Sequence, residues 1–284
     1  MNDQVKDGSA AGRARARTLV VPREHGAWGL LLVPLFTGLA AGLGSAQRFW
    51  PLVLFVAAAL SLFWLRTPVE SLLGSGPMTA RTSHERWIAV IASAILAAAA
   101  GVSLIALMWG GRNLGLLFIG LVAASAFVVQ TGLRGLGRTA RMPSQLVGAI
   151  GLTATAPAAY YLGTGQFDSH ALVLWMANWL FAWNQIQFVQ LRIHAARAGT
   201  FAEKFARGKL FFFTQVALCV GLALATAGRV APLLLIVAFL PALFRGTRWF
   251  FRQPEPLDVK KLGWSEMKQG AAFGILLALA FIFR

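Results

Sequence analysis

The sequence predicts an all-α fold: a polytopic membrane helix bundle of about nine transmembrane helices, N-terminus in and C-terminus out. Three observations predict it. Of the 284 residues, 57% are hydrophobic and only 13% charged, against about 25% charged in a soluble domain. Apolar runs recur at close to the ~20 residues that a helix needs to cross ~30 Å of hydrocarbon. Lysine and arginine fall almost entirely on alternate connections between those runs, the bias that marks cytoplasmic loops.

The net charge of +16 does not indicate nucleic-acid binding, because the basic residues lie between apolar runs and form no surface of their own. Cys219 is the single cysteine, so neither an internal disulfide nor a zinc spacing exists. Residues 1–21 are polar, rich in Gly, Ala and Arg, and carry no cleavage-like signal pattern; they read as a disordered basic cytoplasmic tail. Residues 22–284 read as one transmembrane helical domain. Its nine apolar stretches run approximately over 25–43, 49–65, 87–109, 114–130, 144–162, 170–191, 209–227, 230–247 and 270–283. With the tail inside, 22 of the 26 basic residues fall on the inner side, leaving Arg48, Arg112, Arg229 and Arg284 outside. Nine of the ten carboxylates are inner as well, Asp168 being the exception. Any chemistry therefore faces the cytoplasm.

The start of helix 1, PREHGAWGLLLVPLFTGL, sets Arg23, Glu24, His25 and Trp28 at the membrane boundary. One reading is interfacial anchoring, with Glu24 complementing the helix dipole. The other places Glu24 and His25 at the rim of an inner cavity as ligand clamp or proton donor. Gly38 and Gly42 form a GxxxG that permits close helix packing.

After helix 2, Thr67-Pro68-Val69-Glu70 has the pattern of a capping box with proline at the first helical position, so a new short helix is expected there. Thr82-Ser83-His84-Glu85 repeats the pattern, and so does Thr200-Phe201-Ala202-Glu203 after Gly199, an expected helix C-cap. In helix 5, Gln145, Thr153, Thr155, Pro157, Tyr160 and Tyr161 promise a kink and hydroxyls for the same cavity, unless the hydroxyls satisfy their own backbone.

Helix 6 and its continuation, Trp175 to Lys209, carry the most informative pattern. At 100° per residue, Asn184, Gln187, Gln190, His194 and Arg197 share an arc of about 140°, with Trp179 and Trp183 on its upper edge. A polar stripe in a membrane helix marks a functional site by default. Asn178, Gln185 and Arg192 form a second polar row, which places this helix centrally, with that row bonded to neighbours. The LFFFT and WFFR runs of helices 7 and 8 read as lipid-facing or interfacial. Residues 253–270 read as a polar cytoplasmic connection.

EHGAWGLLLVPLFTGL in helix 1, RTPVESLL after helix 2 and QFVQLRIHAARAG after helix 6 resemble the YwiC-like family of bacterial membrane proteins over nearly the whole chain, which implies a bacterial cytoplasmic membrane. More distantly, nine helices with large cytoplasmic loops after helices 2 and 6 resemble the UbiA-type prenyltransferase superfamily. That resemblance implies a cytoplasm-facing cavity in which two aspartate-rich motifs hold a prenyl diphosphate through magnesium. Here those positions offer Arg66 and Glu70 after helix 2, and Asn184, Gln187, Gln190, Arg192 and His194 in helix 6. Magnesium takes hard oxygen ligands that usually include carboxylates, so no metal and no cofactor are expected.

An anion site remains within reach of Arg66, Arg81, Arg192, Arg197 and Lys204, helped by helix N-termini at Thr67 and Thr200. The same residues also serve topology and lipid headgroups. Three functions fit. An intramembrane enzyme would act on an anionic-headed lipid or isoprenoid, with His194, Gln187, Asn184 and Glu70 lining the site and the basic residues with Gln190, His25 and Glu24 binding substrate. A small-solute transporter would bind at the helix-6 face. A non-catalytic accessory protein would need no pocket. Membrane lipids or an amphipathic isoprenoid are the expected partners, and nucleic acid is not.

Overall fold

Ten α-helices and no strand make up the described residues of the computed structural model, which are 15, 17–22, 25–44, 49–74, 78–109, 111, 114–252 and 257–283. The helices are α1 (His25–Leu43), α2 (Trp50–Leu73), α3 (Ser83–Trp109), α4 (Leu114–Gly135), α5 (Arg141–Thr153), α6 (Thr155–Thr164), α7 (Ser169–His194), α8 (Phe201–Ala227), α9 (Leu234–Phe251) and α10 (Val259–Ile282). Counting α5 and α6 as one span, eight are long and apolar enough to cross a membrane. The 26-residue α7 is long enough but is not among the eight. Apolar side chains stand outward from these helices, with Ile95, Val102, Leu121 and Val128 63–69% exposed. So much bare apolar surface belongs in hydrocarbon, and the chain is a multi-pass membrane protein.

The chain divides into two compact units. The first holds α2 and α3, an antiparallel pair, with the described residues among 15–22. Residues 17–20 of the expected tail are helical. Arg15 Nε reaches Glu85 Oε1 at 2.5 Å, and the Trp64 indole donates to the Val20 carbonyl at 2.7 Å. Glu85 also completes the expected capping box, taking the Arg81 amide at 2.7 Å and the Thr82 amide at 3.3 Å, while its own amide donates to Thr82 Oγ1 at 3.1 Å. The helix expected to begin at Thr67 does not form. Instead α2 runs unbroken to Leu73 with Pro68 inside it, and Gly74 ends it in the left-handed region at φ 70°. A proline removes one helical N–H, but the flanking turns keep theirs, and Ser71 Oγ donates back to the Pro68 carbonyl at 2.8 Å.

The second unit contains α1 from Gly26 onward and everything from Leu114. The GxxxG of α1 lies against α6: a Cβ added to Gly38 would stand 2.2 Å from the Ala156 carbonyl oxygen, and one on Gly163 2.5 Å from that of Gly42. No side chain fits between the two backbones. Membrane helices have little hydrophobic drive to associate, so dispersion at close approach and interhelical hydrogen bonds hold them together. Asn178 of α7 supplies such a bond, donating to Thr37 Oγ1 of α1 at 3.0 Å and to its own helix at the Leu174 carbonyl, 2.9 Å. Further into the core, Phe181 of α7 stacks on Phe273 of α10 with centroids 3.9 Å apart, and Phe239 of α9 meets Phe273 edge-on at 5.1 Å.

α8 starts at Phe201, behind the expected cap Thr200. Two other boundaries differ from the sequence expectation in one direction, with polar residues in helix: α9 continues to Phe251 and α10 begins at Val259, so the connection expected over 253–270 is mostly the first half of a helix. Charged side chains do not end a helix, since each backbone pair is satisfied within it. Asp258 caps α10, accepting from the Lys261 amide at 3.0 Å; that bond, helped by the Lys260 amide and the two lysine charges and opposed by slight desolvation, holds its carboxyl below the ordinary range. The expected kink in helix 5 is a break at Ala154, where Pro157 has no N–H for the Thr153 carbonyl. The LFFFT and WFFR runs are not simply lipid-facing. Phe211 and Phe250 are buried with Phe188 and Trp249 in a second aromatic cluster, while Phe213 and Phe251 face outward.

Candidate functional site

α7 is the helix around which the second unit's polar groups gather. Asp168 starts it, accepting from the backbone amides of His170 at 3.0 Å and Ala171 at 3.1 Å. Burial alone would raise the Asp168 carboxyl, but those amides and the His170 ring hold it below the ordinary carboxylate range. The helix ends at His194 with Ala195 as C-cap, so Gly199 is not the cap that its position suggested. Gly199 instead donates its amide to Glu203 Oε2 at 2.8 Å, within the expected Thr200 box.

A cavity of about 410 Å³ lies between α7, α8 and the start of α9. Its walls are apolar, from Val173, Leu180, Leu218 and Leu222 to Leu235, except at one end, where Trp183, Asn184, Gln187 and Thr214 line it. Gln187 Oε1 accepts from Thr214 Oγ1 at 2.7 Å. Asn184 is 4% exposed, and its Oδ1 is buried without a hydrogen-bond partner. Trp183 Nε1 is likewise buried and unpaired. Trp175, Trp179 and Trp183 stand four residues apart on α7. The first two donate to the Ile150 and Leu146 carbonyls of α5, each at 3.2 Å. The third finds no such carbonyl. Tools for acid–base chemistry are missing from this lining, which contains no ionisable side chain.

Of the predicted polar stripe, then, Asn184 and Gln187 reach the cavity. Gln190 turns to α5, donating to Gln145 Oε1 at 3.2 Å. His194 is exposed, its Nδ1 2.7 Å from the Gln190 carbonyl of its own helix, and Arg197 is exposed beyond the helix end. Lys204 is 3% exposed and reaches the end of α9, donating to the carbonyls of Trp249 at 3.3 Å and Arg252 at 2.5 Å, with its ammonium 5.1 Å over the Trp249 ring. It closes a helix C-terminus, as cations favour. Lys204→Met keeps the apolar stem and removes those bonds, and is expected to destabilise the protein by about 1–3 kcal/mol, read as a lower midpoint in detergent unfolding.

Arg66, Glu70 and Arg81 belong to the first unit. Arg66 Nε pairs with Glu70 Oε1 at 2.7 Å, one helical turn apart on α2. With α2 continuous through Thr67, the backbone N–H groups counted there toward an anion site are inside a helix. Glu24 and the side chain of His25 lie outside the described residues. The hydroxyls of helix 5 do not line the cavity: Thr153 donates to Ala149 at 2.7 Å and Thr155 to Leu152 at 2.8 Å, both within the backbone. Among the described residues no three His, Cys, Asp or Glu side chains converge. With Glu70 held by Arg66 and amides at the corresponding end of α7, the residues present do not fit a magnesium centre.

One cluster was missed in the sequence. Arg245 of α9 donates to Glu266 of α10 and to Gln185 of α7, with its guanidinium 4.1 Å above the Phe188 ring. The side chains of Arg245 and Glu266 are only 13% and 17% exposed. Asn178 and Gln185 of the second polar row of α7 are bonded to neighbours as expected, but Glu266 falls in the stretch expected to be a connection. Proximity of a helix end to a helix start, 21 residues apart, leaves no local signal.

Fold and site together define a polytopic, all-helical membrane protein with an apolar cavity closed at one end by amide and indole groups. Residues 21–160 match the family model described as YwiC-like protein, and over that stretch the chain is similar to the YwiC-like family. The match includes the helix-1 and RTPVESLL segments and ends within α6, so it does not extend to α7 or QFVQLRIHAARAG. No curated protein and no solved structure matches the chain.

Proposed function

We propose that the chain is a nine-span protein of a bacterial cytoplasmic membrane, N-terminus inside, that binds an amphipathic lipid or isoprenoid in the α7–α8–α9 cavity. The observation that carries this reading is the cavity itself, about 410 Å³, apolar along its length and polar at one end. Its volume lies in the range of small-molecule sites. From Val173 to Gln187 the α7 wall runs about 21 Å at 1.5 Å per residue, which suits an extended chain better than a compact solute. Met176 and Val230, both lining residues, are 52% and 60% exposed, so the cavity opens sideways where hydrocarbon would lie and a lipid tail could enter.

Binding is favoured over turnover because general acid–base chemistry needs a titratable group at the reacting atoms, and none lines this cavity. The architectural likeness to UbiA-type enzymes agrees with an intramembrane isoprenoid ligand, without their metal chemistry. Arg197, exposed beyond the end of α7, would face the headgroup layer.

Ala217→Trp fills the cavity from its α8 wall. Wild-type protein is expected to carry a lipid enriched over the bulk membrane extract, and the variant to lose most of it at an unchanged unfolding midpoint. Retention of the same lipid by a folded variant, read by mass spectrometry, would exclude the cavity as the binding site.

A further inference from the structure

The two amides at the polar end of the cavity have only donors left to offer. Asn184 and Gln187 stand about one turn apart on α7, 4% and 6% exposed, and both line the cavity. Their oxygens are committed: Asn184 Oδ1 is sealed within the protein, and Gln187 Oε1 accepts from Thr214 Oγ1 at 2.7 Å. Their NH2 groups are not. Among the described residues neither nitrogen has a hydrogen-bond partner, and neither is sealed from the surface as Asn184 Oδ1 is. A donor at the wall of an apolar space gains most from an occupant that accepts.

A carbonyl oxygen suits such donors best, since it has two lone pairs and no hydrogen of its own. A hydroxyl also accepts, but it brings a proton that needs an acceptor in turn, where Asn184 Oδ1 is closed and Gln187 Oε1 already engaged. A phosphate or carboxylate would accept as well, yet the lining holds no cation. An unpaired buried charge costs far more than two neutral donors can offset. Depth argues the same way. Gln187 lies seven residues before the end of α7 at His194, about 10 Å at 1.5 Å per residue, so in the nine-span arrangement a head at the amides sits below the charged headgroup layer.

We infer that the cavity takes an uncharged lipid with a carbonyl head, its oxygen facing the Gln187 and Asn184 NH2 groups and its tail running along α7 and α8. This rests on the lipid-binding reading above and narrows it to an acceptor head. The carbonyl could belong to a lipid quinone or to a fatty ester.

The experiment measures equilibrium binding of decylubiquinone, ethyl palmitate, hexadecanol and hexadecyl phosphate to the full chain in nanodiscs, against empty nanodiscs, for wild type, Gln187→Met and Ala217→Trp. Decylubiquinone or ethyl palmitate is expected to bind wild type, and the tighter of the two identifies the source of the carbonyl. Gln187→Met keeps the bulk of the side chain without its NH2 and is expected to weaken that ligand about tenfold, the equivalent of one neutral hydrogen bond; Ala217→Trp is expected to abolish its binding. Hexadecyl phosphate is expected to bind at least on the order of a hundredfold more weakly than the carbonyl ligand, and hexadecanol more weakly than ethyl palmitate. Hexadecanol or hexadecyl phosphate binding as tightly as the better carbonyl ligand, or a Gln187→Met protein that binds that ligand as wild type does, would overturn the carbonyl assignment while leaving the cavity a lipid site, provided that Ala217→Trp abolishes the binding. Binding of none of the four, or binding unchanged in a folded Ala217→Trp, would overturn both.

Discussion

Replacing Glu266 with alanine is expected to destabilise the second unit by about 3–5 kcal/mol, the usual consequence of removing one partner from a buried ion pair. Arg245 would keep its charge, its Gln185 bond and its place over Phe188, but lose the carboxylate that offsets its desolvation. Arg192 lies near enough for its charge to act on both members of the pair, so its repulsion of Arg245 would no longer be offset by the Glu266 carboxylate. The cost belongs to the unpairing and not to the pair: Arg245→Leu with Glu266→Leu together should restore most of the stability, because well-packed apolar replacements of buried pairs are often neutral. Unfolding midpoints of the two singles and the double in mixed micelles measure the coupling. A Glu266→Ala protein as stable as wild type would show that the pair is solvated rather than buried.

Gly38→Leu is the second large effect. The first atom of the new side chain would sit 2.2 Å from the Ala156 carbonyl oxygen, a backbone atom that cannot rotate away, so α1 and α6 must separate. Overpacking a close-packed interior costs about 1–3 kcal/mol and occasionally more, and the upper end is expected here because both walls are main chain. Gly29→Leu is the control in the same helix, since a Cβ there meets nothing within 4 Å; it should stay within about 0.5 kcal/mol of wild type. Equal behaviour of the two variants would mean that the GxxxG contact carries no weight.

The helices were legible in the sequence because a membrane span must satisfy every backbone group internally, and that requirement writes itself as a long apolar run. Their ends were not. Charge suggests a loop over 253–270, yet Lys260, Lys261 and Glu266 are all helical, because helices extend past the apolar layer without breaking. The three capping boxes show the limit of local pattern. Thr82 and Thr200 cap helices as their spacing suggests, whereas Thr67 has the same spacing inside a continuous helix. Nothing in four residues distinguishes them; the apolar run upstream of Thr67 does.

The candidate site was half legible. The periodic placement of Asn184 and Gln187 pointed to a cavity, and both line one. Gln190, Lys204 and Arg66 belonged to the same predicted set but hydrogen-bond to Gln145, to the end of α9 and to Glu70. A helical wheel says which side a residue is on, not which neighbour waits there. The apolar lining of the cavity carried no signal at all, since a Leu or Ala facing a void and one facing a packed helix are the same letter.

The amides of α7 also bear on how the chain is made. A helix that falls short of the apolarity of its eight companions has little tendency to leave an insertion channel for lipid alone. Its buried face nevertheless fits α5, α6, α8 and α9, so α7 would partition into the bilayer as a member of a group, held beside the channel until α8 has been synthesised. Were it skipped, every later helix would enter with reversed polarity. In the nine-span arrangement proposed above, the basic residues that follow it, Arg192 to Lys209, would act during synthesis, as the retained charge that keeps the second half of the protein the right way up.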